Sequence, residues 1–295
     1  MNRFEFGQLV ASLRLDIGWT QTELAEQSGL PVAVISNVER GERRGLLKDN
    51  ILLKLAQGLQ LTSLERREFV LAASGVAEQE LNQPVEDRQL SFRQAEKFIG
   101  DMSESIACFT VPAFVTDSYS DILLVNNAAL SFYNPPQFFL ETDTGQVGAF
   151  NQMRYVFHAK TSMRELQGPV WEKSALMAVR YFRRRTMRVR ATRYYADLME
   201  HLRDEREYPL FYKFYRRILY ELHDDFYHEV KKPVDENEVA FSEFTVFLAT
   251  TPFGELNLHY LAPLNDKTSG IFAAVYQQVG RGSQRFALYP DMRKI

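Results

Sequence analysis

Apolar residues recur at intervals of three and four from Phe6 through Leu9, Val10, Leu13, Leu15 and Ile17, which predicts an amphipathic helix broken near Gly18. Thr20-Gln-Thr-Glu23 then reads as a capping box, with Thr20 accepting from the backbone N–H of Glu23 while the Glu23 carboxylate reaches back. It predicts a second helix, with Leu24 and Ala25 inward, running to about Ser28. Gly29 permits the positive φ of a sharp turn, and Pro31 fits the first turn of a third helix. There Ile35 and Val38 pack back on Leu24 and Ala25, leaving Val32, Ala33, Ser36 and Asn37 outward. Asp49 caps a fourth helix carrying Ile51, Leu52, Leu55, Ala56 and Leu59. Thr62 or Ser63 caps a fifth with Leu64, Phe69, Val70 and Ala73, ending before Ser74-Gly75. Residues 1–76 thus read as an all-α, five-helix domain.

Residues 77–106 read as a linker and connecting helix. Glu78 to Gln94 is polar and contains Pro84, while Phe92, Ala95, Phe98, Ile99 and Met102 give Ser91–Ile106 a helical period. From Val111 the pattern changes, predicting a strand over Pro112–Asp117, a turn over Ser118–Asp121, a strand over Ile122–Asn126 and a short helix over Asn127–Tyr133. Helices are expected at Val170–Tyr181, Arg193–Arg203 and Tyr208–Glu229, and strands at Phe241–Thr250, Glu255–Pro263 and Gly270–Val279. In the hairpin turned by Thr251-Pro-Phe-Gly254, Phe244, Val246 and Leu248 on one strand and Leu256, Leu258 and Tyr260 on the other can form one inner face. Residues 107–290 are therefore expected to be an α+β domain, one antiparallel sheet covered by helices.

Gln21, Leu24, Ala25, the turn at Gly29, Ile35-Ser36 and Glu39-Arg40-Gly41 together resemble the XRE (phage Cro/C1 repressor) helix-turn-helix family. That resemblance implies a dimer on double-stranded operator DNA, a third helix in the major groove, and a buried structural ion pair between Arg14 and Glu39. Val32 and Ala33 can touch thymine methyls but cannot read a guanine edge, and Asn37 is the best candidate for a base contact. Gln21, Arg40, Arg43 and Arg44 suit phosphates, with a solvated charged loop as the alternative for the last two. The strand-turn-strand ending in Asn126-Asn-Ala-Ala129 resembles the opening of a PAS fold. Taken with Asn151, Arg154, Phe157, Trp171-Glu172 and Pro252-Phe-Gly254, it resembles the MmyB-like ligand-binding domain that often follows an XRE head. The resemblance implies a sensor of small apolar molecules, fatty-acid-like ones included.

The 295 residues suit two domains, and 45% hydrophobic with 25% charged content is ordinary for a globular chain. No apolar run approaches the roughly 20 residues of a membrane helix, so a cytoplasmic protein is expected. Cys108, the single cysteine, excludes an internal disulfide and is read as a buried, inert thiol. Net charge is −3, and nine basic residues meet nine acidic ones between Met1 and Val76. A neutral head binds DNA weakly alone, which again favours a homodimer.

Twenty-two phenylalanines and 14 tyrosines, most of them after residue 90, suggest an apolar pocket. Phe132, Met153, Phe157, Tyr195, Leu198, Phe214, Ile218, Phe244, Val246, Leu258 and Tyr260 are candidates to line it, each of which can instead simply pack the core. Tyr195, Arg180, Arg193 or His259 could hold a carboxylate head. Seven arginines between Arg180 and Arg193 are read as a solvated surface paired with Asp197–Glu207 or with a partner subunit, in preference to a second nucleic-acid patch. His223 and His228 miss the i, i+4 spacing of helical metal ligands. No nucleophile elbow, Walker loop or cysteine–histidine pairing is present, which argues against an enzyme and requires no cofactor. Alternatives for the second domain are a haem or flavin sensor, with His158 or His259 as axial ligand, and a filled module used only for dimerisation or docking. The segment Glu78–Ile106 is the expected transmitter between the domains.

Overall fold

Capping residues set where most of the N-terminal helices begin. Asn2 and Glu5 form a capping box at the start of α1 (Arg3–Asp16), and Thr20 and Glu23 form the expected one at α2 (Gln21–Ser28). Gly29 closes α2 at φ 61°, and α3 (Val32–Glu39), α4 (Asp49–Gly58) and α5 (Ser63–Glu80) complete the head. The computed structural model describes residues 2–42, 49–80, 90–161, 164, 168–217, 230–234 and 237–295. Leu9, Val10, Leu13, Leu24, Ile35, Leu55 and Phe69 fill the centre of the head. Helix α1 crosses α3 so closely that a Cβ at Gly7 would lie 2.5 Å from the carbonyl oxygens of Val38 and Glu39. Helix α5 does not stop at Ser74-Gly75. The Ser74 hydroxyl donates to the Val70 carbonyl at 2.9 Å, satisfying it within the helix, and one glycine costs a helix only about 1 kcal/mol.

Helix α6 (Phe92–Ala107) starts at a Ser91/Gln94 capping box and leads into the second domain. There β1 (Ala113–Thr116), β2 (Ile122–Asn126) and α7 (Asn127–Tyr133) follow the expected order. Two short helices, α8 (Gln137–Leu140) and α9 (Gln152–Phe157), precede α10 (Trp171–Arg185), α11 (Arg193–Leu202) and α12 (Phe211–Arg217). The chain closes with β3 (Val230–Val234), β4 (Asn237–Thr251), β5 (Gly254–Pro263), α13 (Asp266–Val279) and β6 (Ser283–Arg285). Among the described residues, six strands make one sheet in the order β3-β4-β5-β1-β2-β6, each neighbouring pair antiparallel.

The segment Gly270–Val279 is helical and not a strand. Asn265 accepts from the Thr268 N–H and starts α13, which buries Phe272 against Phe132 and Phe241. A local cap and a helical stripe there outweigh the β-propensity of the aliphatic run. Cys108 follows α6 and is exposed rather than buried.

The sheet separates two environments. Val115, Leu124, Leu256 and Leu258 face Ile99 and Ile106 of α6. Pairing of Phe114 with Val125 and with His259 directs those three to the opposite face. Across β4 and β5, Phe244 pairs with Tyr260 and Val246 with Leu258, so these four share the α6 side, while Glu243 and Thr245 share the side of His259.

Candidate functional site

In the head, the Glu39 carboxylate ends α3 facing inward, 6% exposed. Arg14 holds it from α1 with two parallel bonds, Nε at 2.7 Å and an η-nitrogen at 2.9 Å, and Gln21 Nε2 donates to it at 2.8 Å. Arg14 also donates to the Trp19 carbonyl at 2.6 Å. One carboxylate thus ties α1, α2 and α3 together and fixes the angle at which α3 is presented. Val32, Ala33, Asn37 and Arg40 are exposed on the outer side of α3, and Ser36 is half-buried there. Arg40 donates to Asn37 Oδ1 at 2.9 Å and pairs with Glu42. Gln21 differs from this set, because its amide is committed to Glu39. Arg43 and Arg44 lie outside the described residues.

In the second domain a cavity of about 180 Å³ lies between the sheet and α10. A single water needs only about 10–15 Å³, so the space far exceeds an ordinary packing defect. Phe114, Ile122, Val125, Phe241 and His259 supply the sheet wall, and Ala129, Leu130, Tyr133, Phe139, Tyr155 and Val156 the wall from α7, α8 and α9. Helix α10 contributes Lys173, Ser174, Met177, Ala178, Tyr181 and Arg185, one stripe at helical spacing. Lys173 to Arg185 spans on the order of 18 Å at ~1.5 Å per residue, so the cavity is elongated along α10.

Its polar end is built from Arg185, Thr245, Glu243 and His259. Arg185 donates an η N–H to Thr245 Oγ1 at 3.0 Å, while its Nε finds no acceptor among the described residues. Burial lowers the Arg185 pKa to about 10, against the opposing pull of Glu243, so the guanidinium stays cationic at neutral pH. His259 is 1% exposed, with Nδ1 2.8 Å from Glu243 and Nε2 3.0 Å from Thr116 Oγ1. Burial and the nearby Arg185 lower its pKa to about 4, against Glu243. The neutral ring therefore donates from Nδ1 to the carboxylate and accepts from Thr116 at Nε2. Both nitrogens of His259 are engaged, and His158 Nδ1 accepts from the Lys160 N–H.

The residues singled out from sequence lie beside this cavity and not in its wall. Met153, Phe157, Tyr195, Leu198 and Phe214 pack a helical core on the other side of α10, Phe132 packs with Phe241 and Phe272, and Leu258 and Tyr260 pack on the α6 side. Phe244 and Val246 are 42% and 44% exposed, and Ile218 lies outside the described residues. The displacement is often one position: Tyr133, Val156, Glu243 and His259 line the cavity where Phe132, Phe157, Phe244 and Leu258 do not. In a strand, neighbours face opposite ways, so Phe244 and Leu258 turn from the space while their polar neighbours Glu243 and His259 face it. Of the four candidates for a carboxylate, His259 reaches the cavity. Tyr195 bonds Tyr215 at 3.2 Å, Arg193 is 93% exposed beside Asp197, and Arg180 is half-buried outside the wall.

Arg193 is solvated and lies beside Asp197, and Arg188 is exposed, as expected of the run, but Arg183 and Arg190 are not. Arg183 and Arg190, with side chains 1% and 0% exposed, are buried against Asp16 and Glu65 of the head, which are each 2% exposed. Arg183 Nε donates to Glu65 at 2.7 Å, Arg190 bonds Asp16, and Tyr215 donates to Asp16 at 2.7 Å. Burial pushes the Glu65 carboxyl up, but Arg183, the Thr62 N–H and Arg190 together hold it below its usual range. His223 and His228 lie outside the described residues, and among those described no cluster of metal-ligating groups occurs.

Fold and cavity define a two-domain protein, a helix-turn-helix head on an α+β domain that holds a half-open pocket. Residues 10–66 match the helix-turn-helix family, and residues 107–269 match the MmyB-like transcription regulator ligand binding domain. As the second match spans more than half of the chain, the protein belongs to the MmyB-like regulators: it is a DNA-binding transcription regulator with a ligand-binding domain. A comparison with curated proteins finds no match. No described helix is long and apolar enough to cross a membrane.

Proposed function

We propose that the protein is a cytoplasmic, homodimeric regulator whose PAS-like domain senses an elongated apolar molecule with an anionic head, a fatty acid being the simplest example. Support comes chiefly from Arg185, a guanidinium with a donor unmatched among the described residues, at the polar end of a mainly apolar cavity. A pure docking module would have a filled core, which this cavity does not favour. Ligand can shift DNA occupancy only to the extent that it prefers one arrangement of the protein.

Native mass spectrometry of the purified chain, followed by organic extraction, tests for a bound acyl chain. Titration with palmitate and with hexadecanol then tests the head group. A charge-assisted hydrogen bond is worth about 1.5–3 kcal/mol, so Arg185→Leu should weaken palmitate by roughly 10- to 150-fold and leave hexadecanol little changed. Equal losses for both, or none for palmitate, would refute the assignment of Arg185.

On the DNA side, the exposed outer residues Val32, Ala33, Asn37 and Arg40 of α3, with Ser36 beside them, form the proposed groove-facing surface. Arg43 and Arg44, which lie outside the described residues, keep their sequence-based assignment to phosphates, and Gln21 acts through Glu39.

A further inference from the structure

The buried charge cluster between the domains has no role in holding a ligand or in facing DNA, yet it shares a helix with the cavity. On α10, Ser174, Met177, Ala178, Tyr181 and Arg185 line the cavity. Two residues before Arg185, Arg183 leaves the other side and reaches Glu65 on α5. Met187, just after α10, packs inside the head core. Asp16 ends α1 and receives Arg190, Tyr215 and, at 3.3 Å, Arg203. The geometry points to a lock: the charge cluster docks the head on the sensor, and filling the cavity loosens it through α10.

The direction follows from packing. A close-packed interior transmits displacement, so an occupant between the sheet and α10 presses that helix away from the sheet and toward the head. Arg183 and Glu65 are buried, and a buried pair is favourable only while its hydrogen bonds stay aligned. Arg183 is already under-satisfied, with one η-nitrogen lacking a hydrogen-bond partner among the described residues and 3.9 Å from Asp16. A small shift of α10 therefore costs the docked arrangement more than a surface contact would. Loosening frees the head at Asp16, the last residue of α1, and at Glu65 of α5, neither of which lies on the exposed side of α3.

This lock deepens the reading of the cavity as a ligand site and rests on it, but its coupling can be tested without ligand. Hydrogen–deuterium exchange of the full chain reads peptides around Asp16 and Glu65. Ala178→Leu fills part of the cavity. Ser174→Leu enters it from the previous turn and serves if the first variant does not fold. Either should speed exchange in both head peptides roughly tenfold, within the usual range of coupling between sites. In a Glu65→Gln, Arg183→Met background, which removes both charges and keeps an acceptor for the Thr62 N–H, those peptides should exchange fast with or without the filling residue. Changes confined to peptides lining the cavity, in a variant that folds, would overturn the lock. Palmitate supplies the second arm. If it changes nothing while Ala178→Leu or Ser174→Leu still frees the head, the lock stands and the fatty-acid reading fails.

Discussion

Replacing Glu39 with alanine should do more harm than its place at the end of a short helix suggests. The carboxylate accepts three side-chain hydrogen bonds, two from Arg14 and one from Gln21, and Arg14 is only 11% exposed. Truncation strands a buried guanidinium, which typically costs about 3–5 kcal/mol, a large part of the ~5–15 kcal/mol that stabilises a whole domain. Glu39→Gln keeps one acceptor oxygen and should cost less. Only two tryptophans are present, so Trp171→Phe leaves Trp19 in the head as the sole indole reporter. Trp171 Nε1 has no hydrogen-bond partner among the described residues, so that background loses no such bond. With a urea slope of roughly 2 kcal/mol per molar, Glu39→Ala should lower the midpoint followed by Trp19 emission by about 2 M. A midpoint within about 0.3 M of the parent would show that the ion pair does not organise the head.

At the crossing of α1 and α3, Gly7→Ala places a methyl 2.5 Å from two backbone oxygens. It should destabilise the head by about 1–3 kcal/mol and weaken DNA binding through α3, measured by thermal unfolding and by anisotropy; an unchanged midpoint would contradict the observed crossing. The buried neutral His259 should make stability depend on pH. Its folded pKa of about 4 lies below the unfolded value of 6.5, so its contribution is complete above pH 6.5 and is lost as the pH falls toward 4, to about 3 kcal/mol in all. Asp117, raised to about 6 by burial against the pull of Lys294, with Asp121 also raising it, acts in the opposite sense over much of that window. The informative quantity is therefore the difference between the parent and His259→Gln across urea titrations from pH 7 to 4, and a pH-independent difference would refute a neutral His259.

The head was legible because its signals are local. Thr20 and Glu23, Gly29, and the inward Ile35 and Val38 each act within a few residues, and the structure places them as the spacing predicts. The same holds for the strand-turn-strand and helix from Ala113 to Tyr133. Residues 270–279 carry an aliphatic run that favours a strand, but the cap at Asn265, several residues upstream, starts a helix there. The cavity wall was harder to read, since hydrophobicity identifies buried residues but not which buried face has space beside it. Arg183, Arg185 and Arg190 sit within one basic run, yet α10 sends the first to the head and the second to the cavity. Only the positions of Asp16 and Glu65, more than a hundred residues away in sequence, separate these roles.

The most direct test of the whole account is the affinity of the full chain for a duplex selected from a random pool by the protein itself, measured by anisotropy at fixed salt with and without saturating palmitate. Coupling of cavity to DNA predicts a change of roughly 5-fold or more that disappears in Arg185→Leu at the same palmitate concentration. Identical affinities with palmitate bound and absent, its binding verified by native mass spectrometry, would contradict the claim that occupancy of the cavity controls the head.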